Sequence, residues 1–225
     1  MDLQQLADLR IIAIDGPAGS GKSTVARLLA SRLGLGYLDT GAMYRAVAFA
    51  AIQRGVDPVE ADAVARIAAD MELRVDDAGV VVDGIDATVE IRGPEVTRAV
   101  SIVAANPAVR AELRTRQRLW ALERGGGVIE GRDIGSVVFP DATLKVYLTA
   151  SEAERARRRA KEMTDLDYDD VAADIARRDA ADSGRAHSPL VEAQGADVVD
   201  TTGLGVEQVV DLLATMVEER TGERS

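Results

Sequence analysis

The sequence predicts an α/β protein: a five-stranded parallel sheet with helices on both faces, plus a small inserted lobe of β-meander and helices. Three observations predict it. The glycine-rich turn Gly16-Pro17-Ala18-Gly19-Ser20-Gly21-Lys22-Ser23-Thr24 joins an apolar run at 11–14 to a helical pattern starting at Val25. Short apolar strands near residues 11, 36, 128, 144 and 197 alternate with helical periodicity, as parallel strands covered by helices do. Between 71 and 89 the texture changes to short β-branched segments broken by Asp77-Ala78-Gly79 and Asp83-Gly84, which suits an antiparallel meander and not a parallel sheet.

The turn after the first strand has the form G-x-x-x-x-G-K-[ST] in the context that gives the pattern meaning, strand before and helix after. It therefore reads as the phosphate-binding loop of the P-loop NTPase type. Its glycines let several backbone N–H groups turn toward one anion, and the helix start adds free N–H groups and a positive dipole end. All nine residues of the loop, from Gly16 to Thr24, are expected to bind ATP. Lys22 is expected to reach the β- and γ-phosphates and the Ser23 hydroxyl to ligate Mg²⁺.

The elements follow in order. The helix after the loop is expected to end near Arg32, with Gly34 as its stop. A short strand at 36–38 leads to Asp39-Thr40-Gly41, and helices follow at 42–53 and 61–69. The meander strands are placed at 73–75, 80–82 and 85–89. Pro94 and Pro107 each open a helix, to 105 and to 123, with Trp120 packed into a core. Gly125-Gly126-Gly127 breaks the second, and strands follow at 128–129 and 144–148. Ser151 caps a helix with Glu154 in the capping-box position. Further helices are expected at 168–181 and 206–219, with a strand at 196–199 between them. This divides the chain into a kinase core, 1–55 with 107–225, carrying a lid at about 151–165, and an inserted lobe at 56–106.

Composition narrows the function. A 225-residue chain with 47% apolar and 29% charged residues suits a globular domain. A net charge of −11 argues against broad nucleic-acid or anionic-membrane surfaces. The chain has no cysteine, so thiolate metal sites and disulfides are excluded. No signal peptide is visible in the first nine residues and no apolar run reaches the length of a membrane span, so a cytoplasmic protein is expected.

In so acidic a chain the clustered arginines stand out. Arg155, Arg158 and Arg159 share one helical face, and Arg178, Asp182 and Arg185 follow within short reach. Such clustering is better explained by phosphates than by solubility, although Glu154 is also placed to pair with Arg158. Asp39-Thr40-Gly41 would serve equally as a helix cap. Glu130 closes an apolar strand, where a carboxylate near a metal is common but an ordinary strand-end acid equally so. His187, the one histidine, precedes Ser188-Pro189 and reads as a loop residue. Hydrolytic and nucleophilic mechanisms thus lack residues, whereas phosphoryl transfer to another phosphate needs no base, because a phosphate monoester loses its second proton at about pH 6.

Four segments carry a resemblance. The glycine-rich loop, Leu38-Asp39-Thr40-Gly41-Ala42-Met43-Tyr44-Arg45, Glu130-Gly131-Arg132-Asp133-Ile134-Gly135 with Val137-Val138-Phe139-Pro140-Asp141-Ala142, and Arg178-Asp179 through Asp182-Ser183-Gly184-Arg185 to Pro189-Leu190 resemble the bacterial cytidylate kinases over nearly the whole chain. The first motif is widespread; the second and third together are specific to that family. The resemblance implies ATP-dependent, Mg²⁺-assisted conversion of CMP, and of dCMP, to the diphosphate by a monomer. By position, Thr40, Arg132, Arg178, Asp182 and Arg185 would hold the ribose and phosphate of CMP, and Ser101, Arg110 and Asp133 would read the base. Tyr44 and Arg45 would line the acceptor site, while Arg155, Arg158 and Arg159 would close over the triphosphate. Lys22, Arg132, Arg178 and Arg158 would be the catalytic cations. The chain departs at Thr40, where relatives carry Ser, and at Ser136, where many carry Thr; both keep a hydroxyl. The alternatives are a kinase for another nucleoside monophosphate or small metabolite, a GTPase switch, for which no Asn-Lys-x-Asp signature exists, and a non-catalytic nucleotide sensor, which would have no need to keep Lys22 and the acceptor arginines.

Overall fold

A computed structural model describes residues 9–76, 78–162, 168–185 and 188–222. The first eight residues, Asp77, the end of the expected lid at 163–165 and His187 lie outside the described residues.

The expected parallel sheet is present. Its strands are β1 (Arg10–Asp15), β2 (Tyr37–Asp39), β6 (Gly126–Gly131), β7 (Leu144–Thr149) and β8 (Asp197–Asp200), in the order β2-β6-β1-β7-β8. β1 is central, pairing in parallel with β6 (Ile12 opposite Val128, Asp15 opposite Gly131) and with β7 (Ile12 opposite Leu144). Apolar side chains fill these strands because both faces are covered. On one face, helices α1 (Lys22–Leu33) and α8 (Val206–Thr221) bury Val25, Leu29, Val210 and Leu213 against Ile12, Ile14 and Val146. The strand ends place Asp15, Asp39, Glu130 and Gly131 along the carboxyl edge, where open α/β sheets bind ligands.

By internal packing the chain divides into two units, Met1–Tyr37 with Ala121–Ser225, and Leu38–Trp120. The second contains α2 (Thr40–Gln53), α3 (Ala61–Asp70), β3 (Leu73–Asp76), β4 (Gly79–Val82), β5 (Ile85–Asp86), α4 (Pro94–Ala105) and most of α5 (Pro107–Arg124). Strands β3, β4 and β5 form the expected antiparallel meander. Asp83 and Gly84 make its two-residue turn, both with positive φ as the primed hairpin turns require. The third strand ends at Asp86 rather than running to 89. The Asp86 carboxylate accepts hydrogen bonds from the Thr88 N–H and hydroxyl, and that local turn replaces the ladder. Helix α2 begins two residues earlier than expected, because Asp39 caps it by accepting from the Ala42 N–H at 2.9 Å.

The remaining helices belong to the first unit: α6 (Glu152–Glu162) and α7 (Tyr168–Ser183). Ser151 Oγ accepts from the Glu154 N–H at 3.3 Å, so the expected cap of α6 is formed.

Candidate active site

The glycine-rich loop between β1 and α1 has the backbone its sequence demands. Gly16, Gly19 and Gly21 all take positive φ, and a Cβ on Gly16 would overlap the Leu148 carbonyl of the neighbouring strand. Gly21 precedes α1 and no side chain caps the helix, so its first N–H groups remain available to an anion. Lys22 folds back over the loop and donates to Pro17 O at 2.8 Å and Ser20 Oγ at 3.4 Å. Ser23 and Thr24 are exposed on the first turn.

Around Lys22 lies a buried charge cluster. Burial pushes its ammonium down to about 7; Arg132 adds to the depression, while Glu130, Asp15 and Asp179 oppose it. Glu130, at the end of β6, is buried and accepts from the Tyr37 hydroxyl at 2.6 Å. Arg132 donates Nε to Asp182 on α7 at 2.7 Å. Burial works against the Arg132 charge, but Asp182 outweighs it and the guanidinium is held above its ordinary pKa. Arg185 pairs with the other oxygen of the same carboxylate. Arg178 is pushed down by burial and by the neighbouring charges of Arg132 and Arg159, with Asp174 and Asp182 offsetting part of that. The positive charges of Arg132 and Arg159 bearing on Arg178 suit an anion that arrives from outside.

Two carboxylates that the sequence reading left without a role organise this half of the site. Asp15 is buried at the end of β1 and accepts from the Ile134 and Gly135 N–H groups, each at 2.8 Å. It thereby ties the turn carrying Arg132 and Asp133 to the strand that launches the phosphate loop. Burial raises its pKa to about 6, against those two hydrogen bonds; Asp133 adds to the rise and Lys22 opposes it. A charged residue closing an apolar strand just before Gly16 was the available signal. Asp179 accepts from the Ala18 N–H at 2.9 Å and pairs with Arg155. It stands inside a motif of the resemblance, next to Arg178.

The arginines of α6 part ways. Arg155 is buried, with Nε on Ala150 O and one terminal nitrogen shared between Ala18 O and Asp179. Arg158 pairs with Glu154 as expected, at 2.9 Å, and also donates to Ser20 O at 3.2 Å and to Thr201 Oγ1 and O, both at 2.8 Å. Thr201, fully buried after β8, is a second residue that only its position at a strand's carboxyl end could have flagged. Arg159 lies within electrostatic reach of Arg178.

In the second unit, Arg110 is buried with its guanidinium 5.4 Å from the Tyr44 ring centroid, and it donates to Ala104 O at 3.1 Å. Ser101 lies one helical turn before Ala104 on α4, half-buried. Arg45 is held by Ile91 O at 3.0 Å and Thr97 Oγ1 at 2.9 Å. Thr40 is buried in the first turn of α2, beside the Asp39 cap. The structure thus brings Tyr44 and Arg110 together, and gathers Lys22, Glu130, Arg132, Arg178 and Asp182 in another cluster; nothing it shows among the described residues joins Ser101 to either.

A family model described as "Cytidylate kinase" matches residues 12–219. The chain belongs to the cytidylate kinase family. It is 50% identical to a cytidylate kinase of Pelotomaculum thermopropionicum over 92% of this chain and 95% of the relative. It is also 50% identical to one of Rhodococcus opacus, over 94% and 96%. Among solved structures, an uncharacterized protein from Eubacterium ventriosum shares the fold, with a TM-score of 0.51, 13% identity and coverage of 92% of this chain and 98% of that one. Among the described residues no group of three or more His, Cys, Asp or Glu side chains is arranged to hold a metal, and no helix is long and apolar enough to cross a membrane.

Proposed function

We propose that this kinase transfers the γ-phosphoryl group of ATP to CMP, giving CDP and ADP, and accepts dCMP as well. One observation carries the reading: Lys22 folds over the glycine-rich loop, and Asp15, at the end of the strand that launches that loop, ties down the turn that carries Arg132. Two polyanions must be brought together for a phosphate to attack a phosphate, and such convergent cations are what that requires. The acceptor oxygen of a monoester is already ionised near neutral pH, so positioning and charge stabilisation suffice.

In this reading the loop from Gly16 to Thr24 cradles ATP, and Arg158 and Arg159 attend its phosphates. Arg45, Arg132, Arg178 and Arg185 hold the CMP phosphate, with Thr40 and Asp182 on the ribose side. Tyr44 lines the acceptor site, and Ser101, Arg110 and Asp133 read cytosine. The exposed Ser23 hydroxyl and the Glu130 carboxylate fit Mg²⁺, which keeps several waters and leans on substrate phosphates rather than on a protein cage. Bound there, it would neutralise charge on the β- and γ-phosphates. The acidic surface favours free nucleotides over nucleic acid as partners, and the kinase is expected to work as a cytoplasmic monomer.

Arg132→Lys tests the acceptor assignment, because a lysine loses the planar fork that grips a phosphate. CMP turnover should fall strongly while the ATP dissociation constant barely moves. A loss of ATP affinity with unchanged CMP kinetics would show that the two sites are assigned in reverse.

A further inference from the structure

The glycine-rich loop is fixed from behind by a closed ring of interactions. Asp179 Oδ1 accepts from the Ala18 N–H at 2.9 Å, and Asp179 Oδ2 pairs with a terminal nitrogen of Arg155. The same nitrogen donates to Ala18 O at 3.0 Å, while Arg155 Nε is anchored on Ala150 O at 3.2 Å. The Arg155 backbone lies so close to Gly19 that a Cβ there would meet its carbonyl oxygen at 2.8 Å.

The consequence follows from the planarity of the peptide. In a trans peptide the C=O and the N–H point to opposite sides. The peptide joining Pro17 to Ala18 has its N–H on Asp179, and its carbonyl is the one that Lys22 Nζ reaches at 2.8 Å. Lys22 therefore marks the inner side of the loop and Asp179 the outer side. The next peptide, from Ala18 to Gly19, is turned the other way, since its carbonyl is on Arg155. Its N–H then points inward, to the side of Lys22.

We propose that Asp179, with Arg155, is a positioning residue for the donor site: it sets the opposite turns of the two peptides around Ala18 and so aims the Gly19 N–H at the triphosphate. Arg155 acts through Ala18 from outside the loop and does not close over the phosphates. The inference rests on the kinase reading only in taking the loop as the ATP site. It also explains why α7 carries two acids one turn apart: Asp182 serves Arg132, and Asp179 serves the loop.

The test compares wild type with Asp179→Ala, Asp179→Asn and Arg155→Met. Binding of a non-hydrolysable ATP analogue and of CMP is measured separately by calorimetry, alongside KM for both substrates and the melting temperature. Asp179→Ala should weaken the ATP analogue by about tenfold or more and raise KM for ATP, while CMP binding changes less than about twofold. Asp179→Asn keeps an acceptor for the Ala18 N–H but loses the charge facing Arg155, so its loss should fall between wild type and Asp179→Ala. Arg155→Met should show the same split between ATP and CMP. Equal losses for both ligands, or undiminished ATP affinity at a native melting temperature, would overturn the proposal. Should Asp179→Ala fail to fold, Asp179→Asn and Arg155→Met decide by the same comparison. Binding of the analogue needs no acceptor, so failure of wild type to phosphorylate CMP would strike the acceptor reading and leave this result standing.

Discussion

Lys22 sits in surroundings that disfavour its charge, its pKa pushed down to about 7 by burial, and in the proposed role a bound phosphate would restore that charge. Lys22→Ala should therefore leave the melting temperature and the circular-dichroism spectrum near those of wild type. It should also cut kcat on the order of a thousandfold if Lys22 is, as proposed, the cation at the transferring group. Near-normal turnover in a folded variant would remove Lys22 from the catalytic role. Asp15 makes a prediction of a different kind. Its folded pKa is raised to about 6 from an ordinary 3.8, so between those values the folded state holds more protons than the unfolded one. The stability this group contributes is present below about pH 4 and lost as pH rises through about 6. Asp15→Asn lacks that dependence. The stability difference, wild type minus variant, should fall by on the order of 1–3 kcal/mol from pH 4 to pH 7 in denaturant titrations. A difference that stays flat or rises over that range would contradict it. These residues also mark the limit of what the sequence makes legible. The loop from Gly16 to Thr24 is visible because its chemistry is contiguous. The roles of Asp15 and Asp179 are not, because their partners lie 119 and 161 positions away; a strand end and a motif mark the two positions but not what each acid holds.

At the scale of elements, local rules located most boundaries. Pro94 and Pro107 open α4 and α5 where a first-turn proline predicts, and Asp83-Gly84 makes the hairpin turn of the meander. Two errors share a cause. The early start of α2 and the early end of β5 are each set by an aspartate side chain capturing nearby N–H groups, Asp39 for Ala42 and Asp86 for Thr88. Hydrophobic periodicity does not see such bonds. The segment 56–106 carries Ser101, which is assigned to the base of CMP. Its backbone amides should exchange hydrogen more slowly when CMP is bound and change little with ATP alone. Hydrogen exchange measured with each nucleotide separately checks this, and exchange indifferent to CMP would remove the segment from acceptor binding.

For the whole molecule, the proposed selectivity for CMP rests on a few donors and acceptors. Cytosine presents an amino donor at position 4 and an acceptor at N3; uracil reverses both. In the proposed assignment, Asp133 and Ser101 would take the amino group and Arg110, which only donates, would take N3. UMP would set an oxygen against a carboxylate and an N–H against a guanidinium, mismatches of roughly 1–3 kcal/mol each when buried. The most direct measurement is kcat/KM for CMP, dCMP, UMP, AMP and GMP with ATP and Mg²⁺, in wild type and in Asp133→Ala. The account predicts that wild type prefers CMP over UMP by at least about a hundredfold, and that Asp133→Ala narrows this ratio mainly through loss on CMP. Preference of the wild type for UMP or a purine monophosphate, or an unchanged CMP-to-UMP ratio in the variant, would contradict it.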